Sequence, residues 1–258
     1  MKTFCFTVDD NIRFFKELVE GGCKSLFDHP YLAMYRRLHQ VFGLKVQLNL
    51  FYRWEEYDLT AMTDAYCQEW AENAHWLKMS FHSQRENERP YEFSGYREVF
   101  DHCKAVQDEI LRFAGPASLG QTTTVHYCRN TPEGVSALAD NGVKGLLGLF
   151  GTDASPRTSY SLEEALAARI RHGEIVEKEG MAFAPIDMVI NMVPMASLET
   201  QLQPLTDRPH VWVMIHEQYF YPDYPLYQPD FEEKLRTVFS FLTERGYQSS
   251  FFEELIAK

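Results

Sequence analysis

Apolar and polar positions along the chain switch repeatedly between a period of two and a period near 3.6, the pattern of strands alternating with helices around a largely parallel sheet. Seven strands are predicted, at 3–8, 44–51, 76–81, 122–127, 143–150, 183–192 and 211–215, with a short eighth at 248–252. Leu44, Val46, Leu48 and Leu50 alternate, as do Ile186, Met188, Ile190 and Met192, so each segment carries one row of apolar side chains. Between the strands, Val99, Cys103, Val106, Ile110 and Phe113 mark the buried stripe of a helix that stops at Gly115-Pro116. A second stripe, Phe231, Leu235, Val238, Phe239 and Leu242, runs up to Gly246. Asp230 with Glu233, and Ser161 with Glu164, predict capping boxes, while Thr131-Pro132 predicts an N-cap followed by the first helical residue.

Two stretches break the rhythm. Residues 151–180 form an insertion with a helix of their own, and 219–229 is a loop holding four tyrosines, one phenylalanine and three prolines. Both follow strands, and the loops at strand carboxyl ends form the active face of a βα barrel, so both are expected to cover or line a pocket. With 258 residues and no linker or repeat, the chain is expected to be one domain over 1–258.

Composition narrows the partners. Lys plus Arg total 25 against 37 Asp plus Glu, a formal net charge of −12, which argues against nucleic acid and anionic lipid. No apolar run has the roughly 18 to 20 residues of a membrane helix, and acid at Asp9-Asp10 interrupts any signal-peptide core. Five cysteines without CxxC spacing point to reduced thiols packed as small apolar groups. A cytoplasmic location is the expectation, without membrane attachment.

Several predicted strands end at residues able to bind metal or move protons: Asp9-Asp10, His82, His126, Asp153 and His216-Glu217. Each has an ordinary structural role open to it. Asp10 or Asn11 is placed to cap the helix bearing Ile12, Phe15, Leu18 and Val19, and a lone histidine often only bonds backbone. Their recurrence at equivalent ends of separate strands is what such roles leave unexplained. His82 and Glu86 are four apart, so a helical turn there would put imidazole and carboxylate on one face, and Asp10 would complete a set of one nitrogen and two oxygen ligands. That set suits one divalent metal, zinc first, with manganese, iron or nickel also compatible.

These residues carry a resemblance. Thr7-Val8-Asp9-Asp10 resembles the Thr-Phe-Asp-Asp motif of the polysaccharide deacetylase family, carbohydrate esterases that include chitin oligosaccharide and peptidoglycan deacetylases. Ser80-Phe81-His82-Ser83 resembles its His-Ser/Thr strand end, Met214-Ile215-His216 its late Leu-x-His motif, and Gly246 through Leu255 its closing strand. The resemblance implies an α/β fold of the glycoside hydrolase/deacetylase type, an irregular (β/α)7 barrel. It implies Asp9 as general base, Asp10 and His82 as metal ligands and His216 as general acid. The chain departs from the family where a second histidine is expected, which is Glu86 here, and where Arg-x-Pro is expected, which reads His126-Tyr127-Cys128-Arg129. The family's later Asp and Trp motif has no clear counterpart.

The combined expectation is a metal-dependent hydrolase that removes an acyl group from an amide or ester. Asp9 and His216 are catalytic, and Asp10, His82 and Glu86 hold the metal. His126, Arg129, Tyr219 and Tyr221 contact a small-molecule or oligosaccharide substrate, with His126 also open as a ligand. Two alternatives stand beside it: a binding protein that has lost the chemistry, and a metal-free glycosidase using Glu217 with Asp187 or Glu86. Oligomeric state is not legible in the sequence.

Overall fold

The computed structural model describes residues 2–256. Its principal strands are β1 (Lys2–Asn11), β2 (Val46–Phe51), β3 (Leu77–Ser83), β4 (Thr122–Thr123), β5 (Gly145–Gly148), β6 (Val176–Lys178), β7 (Met181–Pro185), β8 (Met188–Val189), β9 (His210–His216) and β10 (Tyr247–Ser249). One sheet runs β8-β9-β1-β2-β3 with β10 also on β1, and the other runs β6-β7-β5-β4. All these pairings are parallel except β6 with β7. The fold is therefore mixed α/β with a mostly parallel central sheet.

The ladders do not run unbroken around a barrel. They part at two seams, and each has a local cause. At the first, β4 is only two residues long, and a few bonds do the joining: the Ser80 Oγ donates to Thr122 O and the Gly120 backbone N–H to Met79 O. The predicted strand 122–127 stops early because Tyr127 (φ 62°) and Cys128 (φ 54°) are left-handed and turn the chain across the mouth. At the second seam the predicted strand 183–192 splits into β7 and β8. Ile186 N–H still bonds Gly148 O, while Asp187 N–H bonds Trp212 O, so the chain steps from one ladder to the other between consecutive residues. The closing segment likewise leaves the strand after Ser249 and turns helical over Phe252–Ile256, with Glu254 accepting the Phe251 N–H.

Strand faces divide the interior. On the outer face Phe4 and Phe6 of β1 pack on Phe239, and Phe6 on Tyr35, from the helices Phe231–Glu244 and Pro30–Phe42. Burying a side chain of this size is worth about 1.5–3 kcal/mol. The opposite face carries a polar row: Thr7, Asp9, Gln47, Asn49, Ser80, His82, Thr122 and Thr123 are all buried. Such groups are costly inside unless paired, and Gln47 Nε2 donates to both Asn49 Oδ1 and Thr122 O. This row forms the floor beneath the strand carboxyl ends.

Helix starts test the cap readings. Thr131 caps the helix Pro132–Asp140 as expected, its Oγ1 accepting Gly134 N–H at 3.0 Å. The predicted boxes do not form: Asp230 makes no side-chain cap, and Ser161 instead donates to Asn130 O ahead of a helix that begins at Glu164. Nor do Asp10 or Asn11 cap α1 (Arg13–Glu20). Glu217, remote in sequence, accepts the N–H groups of Ile12, Arg13 and Phe14. No described helix is long and apolar enough to cross a membrane.

Candidate active site

At the carboxyl ends of β1, β3 and β9 a cavity of about 370 Å³ opens, lined by Asp9, Asp10, His82, Glu86, His126, His216, Gln218 and Tyr219 among others. β1 and β9 pair in register so that Asp9 lies opposite His216. Between Val8 and Asn11 the β1–β2 register shifts, and Asp10 there is left-handed at φ 64°. An irregularity of this kind re-aims a side chain, and it lets two consecutive acids reach one mouth where a regular strand would send them to opposite faces.

His82 and His126 are oriented by the backbone. His82 Nδ1 donates to Thr124 O, and His126 Nε2 donates to Glu86 O at 2.9 Å. Carbonyls only accept, so these outer nitrogens carry the protons and the inner ones face each other, His82 Nε2 at 3.1 Å from His126 Nδ1. Phe51 packs against both rings. Asp10 Oδ1 lies 3.0 Å from His82 Nε2 and 3.4 Å from His126 Nδ1, yet it is buried without an aligned hydrogen-bond donor. Two imidazole nitrogens and an orphaned carboxylate oxygen, all within 4.8 Å of one another, form a ligand set that fits a divalent cation.

The electrostatics agree. Burial, reinforced by His82 alongside, lowers His126 to about 4, which keeps it neutral as a ligand must be. For His82, burial is outweighed by Asp9 and Asp10, and its pKa rises, so the two carboxylates call for positive charge at this point. Asp10 is held below the usual carboxylate range despite burial, by the His82 contact and the charges of His216, His82 and His126. Burial raises Asp9 against the pull of His82, His216 and the Asn49 hydrogen bond.

Three residues missed in the sequence complete the arrangement. Asn49 Nδ2 donates to Asp9 Oδ1 at 2.6 Å, Gln218 Nε2 to Asp10 Oδ2 at 2.7 Å, and Asn191 Oδ1 accepts both N–H and Nδ1–H of His216, at 3.2 and 2.9 Å. The His216 N–H can only donate, so Asn191 presents oxygen, and Nε2 is the ring nitrogen of this cavity-lining histidine that Asn191 leaves unengaged. Outer partners of ligands typically contribute 10- to 100-fold to metal affinity. Gln218→Leu is therefore expected to weaken metal binding by about that factor; a chelator-competition titration with unchanged affinity would refute the role.

Other expected site residues fall elsewhere. Residues after β3 form turns, not helix, so the one-face argument for His82 and Glu86 fails; Glu86 lines the cavity, but His126 stands in the ligand group in its place. Arg129 is exposed, 3.3 Å from Glu92, and does not line the cavity. Tyr219 does line it, its ring 6.1 Å from that of His216. Tyr221 is buried behind it, donating to Glu217 Oε1 at 2.7 Å beneath the Arg13 guanidinium. Asp153 lies on an exposed hairpin 3.4 Å from Arg171, and the 151–180 insertion contributes nothing to the cavity wall. The carboxylate pair of the glycosidase alternative is also committed: Glu217 to α1, and Asp187 to Arg208 and the Trp212 N–H.

No family model matches the chain, and no curated relative does. Solved structures do. A family 4 acetyl xylan esterase from Clostridium thermocellum, in complex with a cobalt ion, superposes with a TM-score of 0.56 at 12% identity, over 99% of this chain and 90% of that one. A 4-alpha-glucanotransferase from Thermococcus litoralis gives 0.66 at 14% identity, over 100% of this chain but 40% of its own. A family 4 carbohydrate esterase pseudoenzyme from Bacillus anthracis gives 0.53 at 12%, over 99% and 65%. The chain thus has the fold of the family 4 carbohydrate esterases, the polysaccharide deacetylase fold, in a divergent form.

Proposed function

We propose that the chain is a metal-dependent hydrolase of the polysaccharide deacetylase type, on an irregular (β/α)7 barrel with two seams. It removes an acyl group, acetyl first among them, from an amide or ester of a carbohydrate-like or small substrate. The observation that carries this is the convergence of Asp10 Oδ1, His82 Nε2 and His126 Nδ1 in a mouth that also holds Asp9 and His216. A divalent metal on those three atoms supplies polarisation of the scissile carbonyl and a more acidic water.

The protein's own groups do the rest. Asp9, held through Oδ1 by Asn49, takes the water proton on its other oxygen. His216, held through Nδ1 by Asn191, delivers a proton from Nε2 to the leaving nitrogen or oxygen. Acid and base help of this kind is worth about 10² to 10⁴ each, so Asp9→Asn and His216→Ala are each expected to lower kcat by that factor. The reading takes the chain as one domain acting in the cytoplasm.

Metal analysis with an acetylated-substrate panel tests it: about one metal per chain and acyl release are expected, and a protein that takes up no metal under repletion overturns it. One feature favours a silent binding protein as the second reading, because neutral amides, Asn49 and Asn191, hold the base and the acid where charged partners would tune them. Metal bound without any acyl release would select that reading.

A further inference from the structure

The main cavity has a one-sided charge. Three carboxylates line it, Asp9, Asp10 and Glu86, and among the described residues no lysine or arginine does. A dication at the ligand set offsets two of the three negative charges. Glu86 is left over. Its side chain is half-buried, and among the described residues no lysine or arginine is ion-paired with its carboxylate. It sits where the main cavity meets a smaller one lined by Phe51, Trp54, Tyr224, Glu217 and Arg13, the last paired with Glu17 and Asp223, and a surface trough lined by Arg53, Trp54 and Asn87. Aromatic faces surround this junction: Tyr127 is 53% exposed, with its hydroxyl 3.4 Å from the Glu86 carbonyl, and Tyr219 lines the same wall. Arginines of the outer trough already have partners, Arg53 with Asp58 and Arg85 with Glu88.

We propose that Glu86 is a specificity residue that binds an ammonium group of the substrate, so that the preferred substrate class is an acylated amine carrying a second, free, protonated amine. This rests on the hydrolase reading above and names its substrate. Carboxylate and tyrosine faces together are the chemistry that recognises an alkylammonium. The second amine belongs either to an aliphatic diamine or to a partly de-N-acetylated amino-sugar oligomer.

Calorimetry on the metal-loaded protein tests the site without turnover, with diaminobutane as probe and butanediol as its neutral isostere. A hydrogen-bonded charge contact is worth about ten- to a hundredfold. Diaminobutane is expected to bind tighter than the diol by that factor, and Glu86→Gln to bring the two within about twofold while bound metal stays unchanged. Hydrolysis of N-acetyl-diaminobutane against N-acetyl-aminobutanol, and of partly against fully acetylated chitobiose, then separates the two sources of the amine. Binding of diaminobutane with no acyl release in any arm would sink the hydrolase reading and keep the ammonium site. Equal binding of diamine and diol, or a preference that survives Glu86→Gln, overturns the proposal.

Discussion

His126→Ala is expected to strip the metal from the protein, whereas Glu86→Gln is expected to leave it in place. The two residues compete for one role. Spacing alone favours Glu86, four residues after His82, but that pairing needs a helical turn that the chain does not make. His126 arrives from the other side of the first seam, and its ring is fixed before any metal binds, by the Glu86 carbonyl at 2.9 Å and by Phe51 beside it. Glu86→Gln keeps that carbonyl, so it separates the side chain's role from the backbone's. With one of three ligands gone, metal affinity should fall by more than the roughly 10- to 100-fold that an outer partner costs. The loss of several kcal/mol of transition-state stabilisation lowers kcat by about 10³ or more. Elemental analysis after dialysis, alongside acyl release, reads both effects. Metal lost from Glu86→Gln and kept by His126→Ala would reverse the assignment.

That contrast shows what the sequence could and could not carry. β1, β2 and β3 were legible because apolar and polar residues alternate along them, β9 because it is an unbroken apolar run, and all four because their polar ends are abrupt; Asp9-Asp10, His82 and His216 came with them. The route of residues 122–128 was not, since its turn depends on Tyr127 and Cys128 adopting left-handed backbone, a conformation that only glycine or asparagine advertises in a sequence. Asn49 did leave a trace: Gln47 and Asn49 interleave with Val46, Leu48 and Leu50, which marks a strand with one polar buried face. Gln218 and Asn191 left none. Each is a single amide whose meaning comes from a carboxylate or imidazole brought to it by a distant strand.

Glu217→Leu is expected to be the most destabilising single change near the site, although Glu217 touches no reacting group. Its carboxylate accepts the N–H groups of Ile12, Arg13 and Phe14 and the Tyr221 hydroxyl, so it supplies, from the turn just after β9, the cap that α1 lacks locally. Removing it orphans four buried or part-buried donors at a cost of about 3–5 kcal/mol, which lowers the melting temperature by roughly 10 °C in a chain of this size. A pH signature separates this from simple cavity formation. Burial pushes Glu217 up to about 7 from its ordinary 4.5, against the pull of those donors. The folded state therefore holds the proton more tightly than the unfolded one, and the stability this adds is whole below about pH 4.5 and gone once the pH has risen through about 7. Its size is about 3 kcal/mol at 1.36 kcal/mol per pKa unit. Glu217→Gln cannot titrate, so the stability of wild type minus that variant, from denaturant unfolding, should fall by about that amount between pH 5 and 8. A difference that stays flat across the interval would mean that the α1 cap is ionised throughout, with the helix N-terminus and Tyr221 outweighing the burial of the charge.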